Sequence, residues 1–396
     1  MKIVLINAKY SANLGDGALS ECLEDQIQKR ITGSVVSSID ISGSDDFGGH
    51  NSMVAGSPMK GIFNIVPDCI QKIIRYTLRP ILVRKRFSQK WKEQLEGVDA
   101  IVIGGGHLFM DVQRYFPTRI LIAVESAAKG TPVFVHAVGV SKKFTKVGQK
   151  YFNKAFNHGR FVSGSVRDAD SQQKWNSHFN PQARISWDPA LLAFDTYKYS
   201  SEDKSQRDRK IVALGVSDPS DMMAHADNQD DMIGTGISFF IDTATLLVKE
   251  GFNVSLFTNG ADQDYLDQVI EALTSQDDDI RQRVSVMPRA LKPIELVRQI
   301  EQADILVAHR LHANILAYSY KVPSVGLMWD QKVASFFKIT RREEYLVNES
   351  SPAQVIEKVK SAVVDGVDEF WHKKVISDTK SSIDRLVEEL SDLKKL

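Results

Sequence analysis

Short apolar, β-rich runs alternate with longer amphipathic segments along nearly the whole chain, and no other feature restricts the fold as much. Runs at residues 2–6, 35–41, 100–103, 132–138, 161–166 and 184–187 are separated by segments long enough for helices, 118–129 among them. Strands that alternate with helices build a mostly parallel sheet with helices on both faces. The stretch 197–210, YKYSSEDKSQRDRK, holds almost no apolar residue and reads as a linker. The alternation then restarts, with runs at 211–216, 253–257, 283–286, 305–307 and 324–327. The expected fold class is therefore α/β, with two doubly wound domains. They are expected at 1–196 and 211–375, joined by the 197–210 linker. A C-terminal helix over 376–396 should pack back on the body through Ile383, Leu386, Val387, Leu390 and Leu393. Two such domains are expected to face each other across a cleft, because open α/β sheets bind ligands at the carboxyl ends of their strands.

Composition narrows the classes of partner. The chain has 396 residues, enough for two cores, with Lys+Arg 50 against Asp+Glu 50. No whole-molecule field favours nucleic acid, and an anionic ligand must be met locally. Two cysteines, Cys22 and Cys69, make neither a disulfide framework nor a CxxC site, and a reduced cytoplasm is the expected home. The apolar run after Met1 is too short for a signal segment, and none approaches the roughly 18 residues that span a bilayer. Two long loops, 42–61 and 217–236, have the size of lids or disordered segments.

The chemistry gathers at expected strand ends. In NAKYSANLGDGALSECL, Asn13, Gly15 and Asp16 lead into a helix; with Asp16 as N-cap, the helix N-terminus would favour an anion, while the same residues also make an ordinary capped turn. In AIVIGGGHLFMD, Gly104, Gly105 and Gly106 follow a buried strand and allow φ > 0 with no Cβ between backbone and ligand. This is not GxGxxG, and no acid is placed for a ribose, so a dinucleotide is discounted. Arg167 and Asp168 end another strand, with Ser171 in the opening of a helix; a neighbouring carboxylate can equally be the partner of Arg167. Asp188 ends the last run of the first half, ahead of Pro189.

DILVAHRLHANILAYSYKVPSVGL concentrates His309, Arg310 and His312 between an apolar strand and an apolar helix. Buried cations without an anion are costly, so a small, highly charged ligand held by Arg310 and Arg167 between the domains is expected. The segment 71–94 mixes basic residues with Ile, Leu, Phe and Trp. It can lie on an anionic membrane surface, or it can be a solvated helix with one face in the core, its periodicity interrupted by Pro80.

Taken together, these motifs resemble the polysaccharide pyruvyl transferase family, whose pattern is NxGDxA, GGGxxxxD, RDxxS, DPA, and RLHA followed by DxK. Here they stand as Asn13, Gly15, Asp16 and Ala18; Gly104 to Gly106 with Asp111; Arg167, Asp168 and Ser171; Asp188 to Ala190; Arg310 to Ala313; and Asp330 with Lys332. Each is short, but their order from 13 to 332 is specific. His107 and Trp329, beside these motifs, depart from the pattern. The resemblance implies two facing Rossmann-like domains similar to two-domain GT-B glycosyltransferases. It implies transfer of pyruvate from phosphoenolpyruvate to a sugar hydroxyl pair of a cell-surface polysaccharide or a lipid-linked precursor as a ketal, with no metal and no cofactor.

By the same resemblance Arg310, the Leu311 backbone, His312 and Arg167 would hold the donor, since a guanidinium matches carboxylate or phosphate bidentately. His312 would act as acid or stabilise phosphate, and Asp16 and Asp188 would orient or deprotonate the acceptor. Asn13, Gly15, Gly104, Gly105, Gly106, Asp168 and Lys332 complete the expected substrate site. The competing expectations are a nucleotide-sugar glycosyltransferase or epimerase of similar architecture, and a binding homologue without turnover.

Overall fold

A computed structural model describes residues 1–48, 79–112, 114–198, 204, 207–225 and 233–393. The chain divides into two compact units. The first comprises Met1–Ser11, Leu23–Asp188 and the stretch from Ile383 onward; the second comprises Ala12–Cys22 and Pro189–Ser382. The expected segments 42–61, 71–94, 197–210 and 217–236 lie partly outside the described residues, and Cys69 lies wholly outside them; Cys22 is a buried free thiol.

The first unit carries β1 (Lys2–Asn7), β2 (Val35–Asp40), β3 (Ala100–Gly104), β4 (Pro132–Val138), β5 (Arg160–Val166) and β6 (Arg184–Ile185) in one sheet of order β2-β1-β3-β4-β5-β6. Every pairing is parallel. Side chains alternate across a strand, so both faces of β1 must be covered. Val4, Ile6, Ile101 and Ile103 enter one cluster with Phe109, Phe152, Trp175 and Phe179. Ile3, Leu5, Ala100 and Val102 enter the other, with Leu23, Ile27, Leu386 and Leu390. The last two come from the final helix, Glu369–Asp392, which begins before residue 376. The 184–187 run shortens to two residues because β5 stops at Val166, where Arg167 and Asp168 turn into the helix Ala169–His178.

The second unit carries β7 (Ile211–Gly215), β8 (Asn253–Phe257), β9 (Val284–Val286), β10 (Ile305–Ala308), β11 (Ser324–Leu327) and β12 (Leu346–Val347), in the order β12-β11-β10-β7-β8-β9. β12 was not expected: two residues are too few to show a period, and they pair only with Gly326 and Leu327. From Pro80 the described helix Arg79–Gln94 runs without a break; residues 71–78, over which the interruption of the period was expected, lie outside the described residues.

In each unit burial disfavours the charged form of a histidine. His136, in β4, and His309, just after β10, are fully buried, and desolvation lowers each pKa to about 4. His309 Nε2 donates to Ile233 O at 2.8 Å, so the imidazole is a structural hydrogen bond rather than a charge. The unfolded chain takes up protons near pH 6.5 that the folded one refuses down to about 4, so this stability is complete above 6.5 and is lost as pH falls. Urea unfolding at pH 7.5 and at pH 5 should show a loss of about 2 kcal/mol from each unit. Equal stability at the two pH values would mean that neither histidine is held neutral.

Candidate functional site

Parallel strands end on one edge, and in each unit the predicted residues collect there. In the second unit the chain leaves β10 through His309 and Arg310 and enters the helix Leu311–Ser319, whose first N–H groups have no intrahelical partners. Asn314, buried and not singled out from sequence, closes this turn by donating to Ala308 O and Arg310 O, both at 3.1 Å.

Arg310 is not left with an unmatched charge, which corrects the sequence argument for a ligand between buried cations. Its Nη2 donates to Asp262 Oδ1 at 2.7 Å and Oδ2 at 2.9 Å, and the two side chains are 9% and 1% exposed. The anion that offsets its burial belongs to the chain. Asp262 was missed because it sits in NGADQ, an ordinary turn sequence, 48 residues before Arg310.

His312, in the helix Leu311–Ser319, packs against the segment Ala12–Cys22, which belongs with this unit. Helix Leu14–Arg30 starts two residues before Asp16, so Asp16 stands in its first turn and is not the N-cap expected from sequence. Its Oδ1 lies 3.4 Å from His312 Nδ1, and its Oδ2 accepts from Asn13 Nδ2 at 3.5 Å. Asn13 Oδ1 accepts from Gly15 N and from Asn259 Nδ2, both at 3.4 Å. Gly15 is required by space: a Cβ there would fall on His312 Cβ and stand 2.9 Å from Cγ and Nδ1. The two motifs NxGD and RLHA thus form one constellation in which a carboxylate faces an imidazole beside a helix N-terminus. Lys332 is occupied locally, its Nζ 3.9 Å from the centre of the Trp329 ring, while Asp330 caps the helix Gln331–Ile339 by accepting from Lys332 N.

In the first unit the edge is built around Arg167, which is 5% exposed. Its Nη2 donates to His107 Nδ1 at 3.1 Å, and its Nε lies 3.4 Å from Asp168 Oδ2. Because Nδ1 accepts, His107 carries its proton on Nε2, which reaches Ser141 Oγ at 2.8 Å. A Cβ at Gly139 would come within 2.7 Å of the guanidinium. Asp168 also caps the helix Ala169–His178 by accepting from Ser171 N at 2.6 Å, and Ser171 Oγ accepts from Val140 N. Gly105 and Gly106 take φ of 73° and 76°, and hydrogen bonds join this loop to the end of β4 through His136 O and Gly139 N. A Cβ at Gly104 would stand 2.8 Å from Leu23. Asp111 is structural, accepting from Thr145 N and Oγ1. Asp188 is buried within electrostatic reach of His136, and Pro189 opens the turn Pro189–Leu192. Among the described residues, no group of three His, Cys, Asp or Glu side chains is placed to hold a metal ion.

A sequence model of the family described as polysaccharide pyruvyl transferase matches residues 13–331. No curated protein matches the chain. Among solved structures, a putative UDP-N-acetylglucosamine 2-epimerase from Listeria monocytogenes is similar with TM-score 0.61 at 10% identity, over 100% of this chain and 96% of that one. The UDP-GlcNAc 2-epimerase from Neisseria meningitidis, solved with UDP-GlcNAc bound, has TM-score 0.56 at 12% identity, over 99% and 100%. A UDP-glucosyltransferase from Polygonum tinctorium capable of glucosylating indoxyl has 0.53 at 9%, over 98% of each. At these identities the likeness shows the fold, that of GT-B glycosyltransferases and epimerases.

The contact between Gly15 and His312 is open to a direct test. Gly15→Ala should destabilise the protein by about 1–3 kcal/mol, the usual cost of overpacking, and should push His312 away from Asp16. The NMR resonances of the His312 ring, compared at one fixed pH, should then move from their wild-type positions as they do in Asp16→Asn. Wild-type stability together with unmoved resonances would show that the pair does not depend on the missing Cβ.

Proposed function

The chain belongs to the polysaccharide pyruvyl transferase family, and on that premise we propose that it transfers the pyruvyl group of phosphoenolpyruvate to two hydroxyls of one sugar, in a polysaccharide or its lipid-linked precursor. The observation that carries this reading is the meeting of Asp16 with His312 at the N-terminus of Leu311–Ser319, next to Arg310. A helix N-terminus and a guanidinium suit a small carboxylate and phosphate ligand. C3 of the donor gains a proton, a sugar hydroxyl attacks C2 and loses its proton, and the C2–O bond to phosphate breaks, the phosphate leaving as hydrogen phosphate. The second hydroxyl then attacks C2 and loses its proton, so the two protons given up by the hydroxyls equal those gained by C3 and by phosphate.

His312 supplies the acid, or stabilises the leaving phosphate, with its ring oriented by Asp16. Arg310 and the Leu311 N–H bind the donor. Arg167, Asp188, Lys332 and the Gly104–Gly106 loop are proposed as substrate-binding groups, with Asp188 orienting the acceptor. The acceptor face is further proposed to work at an anionic membrane surface through the helix Arg79–Gln94. Val83, Phe87 and Trp91 of that helix are buried, whereas Ile81 and Leu82 are exposed beside Arg84, Lys85 and Arg86. Among the described residues no helix is long and apolar enough to cross a membrane.

Two experiments test these proposals. Phosphoenolpyruvate at a hundred times its Kd should stabilise the fold by about 2.7 kcal/mol, UDP-sugars should not, and His312→Asn should lower the single-turnover rate far more than donor affinity. Stabilisation by UDP-sugars alone would replace this reading with a nucleotide-sugar enzyme. For the membrane contact, the protein should sediment with vesicles rich in phosphatidylglycerol and not with phosphatidylcholine. Ile81→Ser/Leu82→Ser should abolish this, and failure to sediment with either lipid would remove the proposal.

A further inference from the structure

The residue paired with Arg310 lies outside the motifs read from the sequence. Asp262 stands immediately before the helix Gln263–Leu273, in the N-cap position, yet its side chain makes no capping bond and its φ of −95° and ψ of 27° are not those of a usual cap. An aspartate there normally accepts from an N–H of its own helix. This one forgoes that bond. Both oxygens go instead to Arg310 Nη2, and Oδ1 also accepts from Asp218 N at 3.1 Å.

The reach needed for this is built into the sheet. β8, which precedes Asp262, and β10, which precedes Arg310, are separated by β7. β7 ends in Gly215, where a Cβ would stand 3.1 Å from Ala308 Cβ and from the Phe257 ring. The loop is fixed at its other end too. Asn259 O accepts from Leu14 N at 2.9 Å, and Gly260, with φ of 104°, leaves no room for a Cβ beside Ala12 O at 2.7 Å.

We propose that Asp262 is a positioning residue for the transfer reaction. By holding one terminal nitrogen of Arg310, it fixes the direction in which the guanidinium meets the carboxylate or phosphate of the donor. A guanidinium binds such groups through a planar fork, so the cost of orienting it is met before the ligand arrives. The inference rests on the donor reading proposed above and adds to it a residue that touches Arg310 rather than the reacting atoms.

The test is a double-substitution cycle on donor affinity, using phosphoenolpyruvate as the probe and the full chain throughout. Asp262→Asn keeps the side-chain shape and one acceptor oxygen, so it spares packing, while Arg310→Lys keeps the charge and removes the fork. Each alone should raise Kd about tenfold or more, and the pair should cost far less than the product of the two factors. KM for the donor should rise in Asp262→Asn while kcat stays within a fewfold, a split that damage to the fold alone would not produce. Fold integrity is read from the melting transition, and Asp262→Glu provides a second variant should Asp262→Asn unfold.

If Arg310→Lys weakens the donor and Asp262→Asn does not, or if the two effects multiply, Asp262 does not act through Arg310 and the inference falls. Absence of donor binding to the unaltered protein would instead overturn the functional reading, and this inference with it.

Discussion

A guanidinium buried without a counter-charge costs several kcal/mol, and breaking a buried ion pair by removing one partner typically costs about 3–5 kcal/mol. The pairing of Arg310 with Asp262 is therefore a constraint on everything attached to either residue. It ties the loop after β8 to the loop after β10. Once that loop is fixed, Asn259 is fixed, and through it Asn13 and the first turn of Leu14–Arg30. Asp16 then has one place to point, and Gly15 leaves the space in which His312 meets it. The constellation is a chain of dependencies that starts from a charge needing a partner.

The first unit meets the same problem differently. Arg167 is offset by the carboxylate next to it in sequence and by a histidine ring, and Asp168 divides its oxygens between the arginine and a helix N-terminus. Most motif residues here serve the backbone. Ser171 takes the Val140 N–H, Asp111 takes Thr145, and Gly105 and Gly106 occupy φ values open to glycine at no cost. A family motif therefore marks places where the chain must be held.

This explains which parts could be read from sequence. The two sheets were legible because their strands are apolar on both faces and separated by helical periods, so period and length both pointed to parallel α/β units. Arg310 and His312 were legible as charge in an apolar context. Asp262 was not, because its partner is distant in sequence and NGAD reads as a turn. The role of Asp16 was misread because capping is decided by local geometry, and the helix begins at Leu14. His309 looked like site chemistry, but burial keeps it neutral and bonded to a carbonyl. The left-handed Ala137, φ 51° within β4, has no sequence signal at all.

The balance of charge at the edge of the second unit bears on how a donor would be held. Arg310 with Asp262 sums to zero, and Asp16 adds a carboxylate beside His312. A dianionic or trianionic ligand would thus meet no large net positive field there. What this edge offers an anion is direction rather than net charge, as in the first N–H groups of Leu311–Ser319. Preoriented donors in a dry site act on charge that develops during reaction more strongly than on charge already solvated. The carboxylates at 16 and 262 thus serve this edge by fixing direction: Asp262 holds Arg310, and Asp16 stands against His312.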